Sequence, residues 1–315
     1  MVELSVRSKP TLSVVLPAYN EQDALPITVQ AVASSLREWS FEIIVVDDGS
    51  IDGTWRVVER LSGECSVRGI RFTRNFGHQA AILAGLIAAR GDAVIMMDAD
   101  GQHPAELLPT FVEKWKAGSP VVQGVRRRNA SVGAFKRWTS AAFYRIIRAL
   151  AGVDIPSGSA DFRLLSRPVL EHVLASAGPL LFLRGLIPWL GYQTAHVPFD
   201  AGQRIAGRTS YTLRRMVRLS IDGLLGFSIV PLRLAIALGF LISGASFLYL
   251  AYIVVIRLTA GNVVPGWASM TGLLSLLGGI QLVTLGVLGE YVGRLFLSTL
   301  KRPPYVIRDS TKDEK

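Results

Sequence analysis

The feature that most constrains the fold is a short apolar run that ends in two carboxylates one residue apart. Residues 93–97, AVIMM, predict a buried strand, and Asp98, Ala99 and Asp100 follow it directly. In an open parallel sheet, the carboxyl ends of the strands form the edge at which ligands bind. Two carboxylates there can share a divalent metal ion that also holds a diphosphate. For such a pair taken alone, the alternative is a solvated turn before a helix that begins at Pro104.

The first part of the chain alternates predicted strands with predicted helices. The strands are expected at 12–16, 41–46, 67–72, 93–97 and 120–124, and the helices at 23–36, from 52, at 79–89 and at 104–116. This alternation is typical of a mostly parallel sheet with helices on both faces. The sequence therefore predicts an α/β, Rossmann-like fold for this part of the chain.

Polar residues follow each of the first four predicted strands. They are Tyr19, Asn20 and Glu21 after the first, Asp47 and Asp48 after the second, Asn75 after the third, and Asp98 and Asp100 after the fourth. Any one cluster alone could cap a helix or close a turn. Four clusters at one sheet edge indicate a nucleotide site, in which the early carboxylates bind base or ribose and the later pair holds the metal.

Two apolar segments near the C-terminus, about 231–256 and 270–290, raise the mean hydropathy of the chain to +0.37. Each approaches or exceeds the roughly 20 residues that cross a bilayer as a helix. Arginine and lysine residues lie outside both ends of the pair, so the positive-inside rule places both ends in the cytoplasm. Two buried helices of a soluble core are the alternative, which fits segments of this length poorly.

These segments predict a multi-pass protein of the cell membrane. The expected domains are a cytoplasmic catalytic domain at 1–209, an interfacial amphipathic segment at 210–229, two transmembrane helices within 230–297, and a cytoplasmic tail at 298–315. A basic amphipathic helix is also predicted at 133–150, either as a solvated face or as a surface against anionic lipid. The single cysteine, Cys65, and the polar N-terminus fit an intracellular catalytic part.

The chain has 34 Lys and Arg residues against 24 Asp and Glu residues, a formal net charge of +10. Such a charge suits nucleic acid, a membrane surface or a phosphorylated ligand. The basic residues cluster beside the apolar segments and do not alternate with aromatic residues, which favours lipid head groups and phosphate over nucleic acid. Glycines in the second apolar segment are compatible with close helix packing in a homo-oligomer.

Six segments resemble, in order, the motifs of the inverting glycosyltransferases of family two. They are LSVVLPAYNE, IIVVDDGSIDGT, RNFGHQAAILAGL, GDAVIMMDADGQHP, SADFRLLSR and FLRGLIPWLGY. The chain is most similar to the polyprenyl-phosphate glycosyltransferases, a group that includes dolichol-phosphate mannose synthases and bactoprenol glucosyltransferases, and the similarity extends to the closing KRPPYVIRD. The resemblance implies an A-type glycosyltransferase fold, a nucleotide-diphosphate sugar donor (a UDP- or GDP-sugar), Mg²⁺ or Mn²⁺, and a polyprenyl phosphate acceptor.

The resemblance also implies roles for individual residues. The resemblance and the polar residues at the sheet edge together predict a nucleotide-binding set of Pro17, Tyr19, Asn20, Glu21, Asp47, Asp48, Asn75, Asp98 and Ala99. The predicted metal-binding set is Asp98, Asp100 and Gln102. The expected acceptor and phosphate contacts are Arg126, Arg128, Arg204, Arg208 and Tyr211. The chain departs from the family pattern at Asn129, Ala201 and Ser210, where basic residues are usual.

Asp161 matches the family's catalytic aspartate, so the resemblance implies Asp161 and Asp100 as the catalytic residues. A phosphate monoester has a second pKa of about 6 and is already largely a dianion at neutral pH, which leaves little need for a general base. Asp161 could therefore orient the sugar or the acceptor instead of removing a proton. A purely structural pairing with Arg163 or another arginine is the alternative.

The function predicted from the sequence is transfer of a hexosyl group, with inversion, from a nucleotide sugar to a polyprenyl phosphate of the undecaprenyl type, which makes a lipid-linked sugar donor. One alternative is a processive polysaccharide synthase of the same fold, although the sequence lacks the expected Gln-x-x-Arg-Trp motif. A second is a membrane scaffold that binds a nucleotide sugar without turnover. UDP-glucose, UDP-galactose, UDP-N-acetylhexosamine and GDP-mannose all fit as donors.

Overall fold

The computed structural model describes residues 11–64, 66–127, 159–176, 183–200, 202, 230–260, 266–300 and 302–311. These residues fall into two compact units. The first contains the described residues up to 202 together with 302–311, and the second contains 230–300. The basic helix predicted at 133–150 and the interfacial segment predicted at 210–229 lie outside the described residues.

The first unit is built on an eight-stranded sheet. Its strands are β1 (Leu12–Ala18), β2 (Phe41–Asp47), β3 (Val67–Phe72), β4 (Ala93–Met96), β5 (Val121–Arg126), β6 (Ser159–Ser166), β7 (Thr194–Phe199) and β8 (Ile307–Ser310). Their order across the sheet is β7-β5-β6-β4-β1-β2-β3-β8. The four central strands β3, β2, β1 and β4 are parallel, so their carboxyl ends meet at one edge, as a strand-end site requires.

Helices cover both faces of this sheet. They are α1 (Ala24–Ser35), α2 (Thr54–Glu64), α3 (His78–Ala88), α4 (Leu108–Lys116), α5 (Arg167–Ser176) and α6 (Leu183–Trp189), with a 3-10 turn at Ala105–Leu107 before α4. One core contains side chains of α1, α2 and α4, and the other contains side chains of α3, α5 and α6. In β1, Val14 and Leu16 belong to the first core and Val15 to the second, so β1 is buried on both faces.

The predicted α/β fold with a mostly parallel sheet is confirmed, and each of the first five strands lies within two residues of its predicted bounds. Two additions change the order of the sheet. Strand β6 runs antiparallel between β4 and β5, so β5 does not pair with β4. Strand β8, within the predicted tail at 298–315, pairs antiparallel with β3 and forms that edge of the sheet.

The second unit consists of two long helices, α7 (Val230–Ala260) and α8 (Trp267–Thr299). The two apolar segments predicted at 231–256 and 270–290 fall within them. Over the part of the chain that the structure describes, one helical segment, Leu276–Thr299, is long and apolar enough to cross a membrane. The apolar stretch Ala235–Tyr249 in α7 is shorter. That both helices span a membrane stays a prediction.

The close packing of α3 on the sheet depends on a glycine. A Cβ added to Gly85 would lie 2.2 Å from Cγ1 of Val15. We expect Gly85→Ala to push the helix off β1 and to lower stability by about 1–3 kcal/mol, the usual effect of overpacking a core. Thermal unfolding of the purified protein, followed by circular dichroism, measures this.

Gly63→Ala is the matched control, because a Cβ at this exposed position of α2 would meet nothing within 4 Å. We expect it to leave the melting temperature unchanged or to raise it slightly, since alanine favours a helix by up to about 1 kcal/mol over glycine. Equal losses in the two variants would contradict the packing assigned to Gly85.

Candidate active site

The loops after β1 and β2 are joined by side-chain hydrogen bonds. The Asn20 amide donates to Oγ of Ser50 at 2.9 Å, and Oδ1 of Asn20 accepts from the amide of Ile51 at 3.0 Å. Asn20 has a φ of +57°, in the left-handed region that asparagine tolerates better than most residues. The amide of Glu21 donates to Oγ1 of Thr54 at 2.9 Å. The two loops therefore form one wall at the edge of the sheet.

Asp47 and Asp48 are buried, and both hold loops in place. Oδ1 of Asp47 accepts the amide of Ser50 at 2.9 Å. The carboxylate of Asp48 accepts the amides of Phe76 and Gly77 at 2.7 and 2.9 Å. Burial raises the pKa of Asp48, and these two amide donors offset only part of that effect. Both carboxylates thus bind the backbone of their own site before any ligand is present.

The other residues of the predicted nucleotide set differ in exposure. Tyr19, Asn20 and Asn75 are exposed, Glu21 and Asp98 are partly exposed, and Pro17 and Ala99 are buried. All of them lie at or beside the carboxyl ends of β1 to β4. The structure therefore brings the predicted set to one edge of the sheet.

The loop after β4 is held by a buried histidine. The Asp98 amide donates to Nδ1 of His103 at 2.9 Å, and Nε2 of that ring lies 3.6 Å from Oδ2 of Asp98. Burial lowers the pKa of His103, and its ring stacks on Phe162 with centroids 4.9 Å apart. Asp100 is also buried, and its Oδ1 accepts the amide of Gln102 at 3.0 Å.

Two of the three predicted metal ligands, Asp98 and Asp100, fit a divalent cation. Oδ1 of Asp98 is buried and has no hydrogen-bond partner among the described residues, while Nε2 of His78 lies 3.4 Å from it. Within the same residues no group of three or more His, Cys, Asp or Glu side chains is arranged to hold a metal. Mg²⁺ needs no such group, because it is commonly bound by one or two carboxylates together with substrate phosphates. Asp98 and Asp100 offer those carboxylates.

Arg126, at the end of β5, lies beside this loop. Its Nη2 donates to Oε1 of Gln102 at 2.7 Å, so the amide oxygen predicted as a metal ligand is engaged by the guanidinium. The remaining predicted phosphate contacts, Arg128, Arg204, Arg208 and Tyr211, lie outside the described residues.

Asp161 is bound by three side chains. Its Oδ2 lies 2.7 Å from Nη2 of Arg184, 3.2 Å from Nε2 of Gln79 and 3.4 Å from Nε2 of His78. Burial opposes the negative charge, but the hydrogen bond with His78 and the charge of Arg184 outweigh it. They hold the pKa of Asp161 well below its usual 3.8. Asp161 is therefore a weak base.

His78 links the two parts of the site. Its Nε2 lies 3.4 Å from Oδ1 of Asp98 and 3.4 Å from Oδ2 of Asp161. Burial disfavours a charge on this ring, but the hydrogen bond to Asp161 and the two nearby carboxylates outweigh burial and raise the pKa of His78 above 6.5. The predicted metal ligand and the predicted catalytic aspartate are thus separated by one imidazole.

Sequence reasoning did not identify His78, Gln79 or Arg184 as site residues. One feature of the sequence could have identified them: all three are polar residues within largely apolar motifs. His78 and Gln79 lie in RNFGHQAAILAGL, and Arg184 lies in FLRGLIPWLGY. The arginine that pairs with Asp161 is Arg184, not the neighbouring Arg163. Arg163 is buried, and burial lowers its pKa to about 10, so it remains protonated at neutral pH.

A mostly parallel sheet with carboxylates at the ends of β2 and β4 and a further buried aspartate on β6 defines the class of the A-type glycosyltransferases. The model of the family described as "Glycosyl transferase family 2" matches residues 13–174. The chain belongs to glycosyltransferase family 2 and is a glycosyltransferase.

Relatives named bactoprenol glucosyl transferase confirm the resemblance to the polyprenyl-phosphate group. A prophage bactoprenol glucosyl transferase homolog of Escherichia coli K12 is 36% identical over 300 residues, which cover 94% of this chain and 98% of that protein. The bactoprenol glucosyl transferase of Shigella phage SfX is 37% identical over 300 residues, which cover 94% of this chain and 98% of that protein. The uncharacterized glycosyltransferase YkcC of Bacillus subtilis is 38% identical over 301 residues, or 95% of this chain and 93% of that protein.

A solved structure supports the same fold. Glucosyl-3-phosphoglycerate synthase from Mycobacterium tuberculosis, crystallised with Mn²⁺, uridine diphosphate and glucosyl-3-phosphoglycerate, matches with a TM-score of 0.51. The match has 23% sequence identity and covers 70% of this chain and 80% of that one.

The pair formed by Arg184 and Asp161 gives a stability prediction. Arg184→Met would leave the buried carboxylate without its arginine, so we expect a loss of about 2–3 kcal/mol. A carboxylate whose folded pKa is depressed stabilises the fold above its unfolded pKa of 3.8 and loses that contribution only as the pH falls through the lower folded value. The contribution of Asp161 itself should therefore be constant from about pH 5 to pH 8. Protonated His78 partly replaces the missing positive charge at the lower pH, so thermal unfolding should show a larger loss at pH 8 than at pH 5.

Arg127→Met is the matched control. Arg127 forms an ion pair of 3.2 Å with Asp200, but both side chains are mostly exposed, and exposed pairs contribute little. A melting temperature lowered equally in the two variants would contradict the importance assigned to the Asp161 cluster.

Proposed function

We propose that this protein transfers a glucosyl group from a nucleotide-diphosphate sugar to a polyprenyl phosphate, with inversion, at the cytoplasmic face of the membrane. The product is a lipid-linked sugar donor. The observation that carries the proposal is the common contact of Asp98 and Asp161 with His78, at 3.4 Å each. It supports a donor diphosphate at Asp98 beside the aspartate proposed to act on the reacting groups. The near full-length similarity to bactoprenol glucosyl transferases supports the acceptor and the sugar.

In the proposed reaction, a phosphate oxygen of the acceptor attacks the anomeric carbon on the side opposite the diphosphate. A new carbon–oxygen bond forms while the bond to the diphosphate breaks, and its electron pair leaves with the diphosphate. The acceptor phosphate, with a second pKa of about 6, is already mostly dianionic. No proton has to be removed, so the low pKa of Asp161 is no obstacle.

We assign Asp161 an orienting role. Arg184 and Gln79 fix its carboxylate from two elements, α6 and α3, so its position is set before substrate binds. A fixed carboxylate oxygen can accept a hydrogen bond from a sugar hydroxyl and hold the anomeric carbon in line with the incoming phosphate.

Asp98 and Asp100 would hold Mg²⁺ or Mn²⁺ together with the donor diphosphate. When bound, the ion would neutralise the charge that develops on the leaving group. Arg126 adds a positive charge beside the same loop through its contact with Gln102, which supports its proposed phosphate contact. Arg128, Arg204, Arg208 and Tyr211 are proposed as acceptor contacts on the family resemblance.

We propose that α7 and α8 cross the membrane as a hairpin with both ends in the cytoplasm. Large apolar side chains on both helices are exposed, among them Phe240 and Leu248 on α7 and Leu282 and Phe296 on α8. Exposed apolar patches of this kind fit contact with lipid tails. The segment at 210–229 would lie in the interface, where its basic residues reach lipid head groups.

A transfer assay with the full-length protein tests the proposal. Purified enzyme is incubated with Mg²⁺ or Mn²⁺, undecaprenyl phosphate and each radiolabelled donor in turn: UDP-glucose, UDP-galactose, UDP-N-acetylglucosamine and GDP-mannose. We expect label from UDP-glucose to enter the lipid phase, to disappear with a chelator, and to fall about a hundredfold or more in Asp100→Asn. The control Glu113→Gln, on the exposed face of α4, should keep full activity.

Three results would contradict the proposal. Transfer from one of the other donors, without transfer from UDP-glucose, would refute glucose as the transferred sugar. A polymeric product would favour the processive synthase. Metal-dependent nucleotide binding without transfer from any donor would favour the non-catalytic scaffold.

A further inference from the structure

We propose that the C-terminal strand β8 supports the donor site and that Arg71 is a positioning residue for the wall formed by the loops after β1 and β2. The inference rests on the proposed function, because it concerns the site for the donor nucleotide. Three charged residues on neighbouring strands carry it: Asp47 on β2, Arg71 on β3 and Asp309 on β8.

These three residues form one row across the sheet. Asp47 is the register partner of Arg71, and Arg71 is the register partner of Asp309. Direct cross-strand partners place their side chains on the same face of a sheet. Nε of Arg71 lies 3.4 Å from Oδ2 of Asp47, and Nη1 of Arg71 lies 3.7 Å from Oδ2 of Asp309. The row therefore alternates negative, positive and negative charge.

Asp47 depends on Arg71 because its carboxylate is fully buried. Its exposed fraction is 0%, and its Oδ2 accepts no hydrogen bond from the described residues. A buried carboxylate without a compensating cation is strongly unfavourable. Removing the guanidinium would therefore force the Asp47 side chain, or the loop around it, to move.

Two hydrogen bonds would transmit a movement of Asp47 to the wall formed by the loops after β1 and β2. Oδ1 of Asp47 accepts the amide of Ser50, and Oγ of Ser50 accepts the amide of Asn20, each at 2.9 Å. Asn20 lies between Tyr19 and Glu21, both predicted nucleotide contacts. Arg71 thus acts on the donor site through Asp47 and Ser50.

Strand β8 is fixed at both ends against β3, which keeps Asp309 beside Arg71. The amide of Gly69 donates to Oγ1 of Thr311 at 2.9 Å, and the amide of Thr73 donates to the carbonyl of Val306 at 3.0 Å. The ring of Tyr305 stacks on Phe72 with centroids 4.9 Å apart. Residues that follow α8 in the chain therefore contribute to the support of the donor site.

Nucleotide binding and steady-state kinetics of the full-length protein test the inference. Calorimetric titration with UDP in the presence of Mn²⁺ is compared for wild type, Arg71→Met, Arg71→Lys and Asp309→Asn. We expect Arg71→Met to weaken UDP binding and to raise the KM for the donor by about tenfold, with kcat changed less than about twofold. Arg71→Lys, which keeps the charge, should recover most of this loss, and Asp309→Asn should cost about two- to threefold.

Arg68→Met is the matched control. Arg68 lies on the same strand and pairs with Glu42 of β2 at 3.1 Å, but this pair is near the amino ends of the strands, away from the site. We expect it to lower the melting temperature without changing UDP affinity. A loss of general stability would thus be separated from a loss of positioning.

Wild-type affinity for UDP in Arg71→Met, or an equal loss in Arg68→Met, would overturn the role of Arg71. If Arg71→Met does not fold, Arg71→Lys and Asp309→Asn decide the question, because Asp309 is half exposed and its replacement leaves the buried pair intact. Unchanged UDP affinity in Asp309→Asn would overturn the role of β8. A wild type that binds neither UDP nor GDP would refute the proposed function itself, a distinct result.

Discussion

The structure depends on how the carboxylates at the strand ends are neutralised. An ionised carboxylate taken out of water costs several kcal/mol unless a cation or several donors compensate it. Asp47 has Arg71 at 3.4 Å, Asp48 has two backbone amides, and Asp161 has Arg184 and His78. These ion pairs and hydrogen bonds also fix a loop or a helix end, so the same interactions stabilise the fold and shape the site.

The groups that surround each carboxylate distinguish the supporting carboxylates from those available for chemistry. Asp47 and Asp48 accept the amides of Ser50, Phe76 and Gly77, and Nε of Arg71 lies 3.4 Å from the remaining oxygen of Asp47. At Asp98 the buried Oδ1 likewise accepts no hydrogen bond from the described residues, but the group 3.4 Å from it is the imidazole of His78 and not an arginine. We therefore propose that the divalent ion binds at Asp98 and Asp100, while the early carboxylates position the loops around the proposed nucleotide site.

The parallel centre of the sheet was predictable because β1, β2 and β4 are largely buried on both faces, which gives runs such as VVLPA and IIVV. Strand β6 was not, since Asp161 and Arg163 occupy buried positions and break its apolar pattern. Strand β8 is a short edge strand without any such run. The positions of Asp47, Asp48, Asp98 and Asp100 followed from the strand ends, and Asp161 followed from the family resemblance. The partners His78 and Arg184 come from distant segments and could be found only from the fold.

Electron paramagnetic resonance of Mn²⁺ tests the central claim, that the end of β4 holds a metal together with a nucleotide diphosphate. Free Mn²⁺ is titrated against the full-length protein with and without UDP, for wild type, Asp98→Asn and the surface control Glu113→Gln. The account predicts that bound Mn²⁺ increases when UDP is present in wild type and in the control, and that this increase is lost in Asp98→Asn. Equal UDP-dependent binding of Mn²⁺ in all three proteins would contradict it.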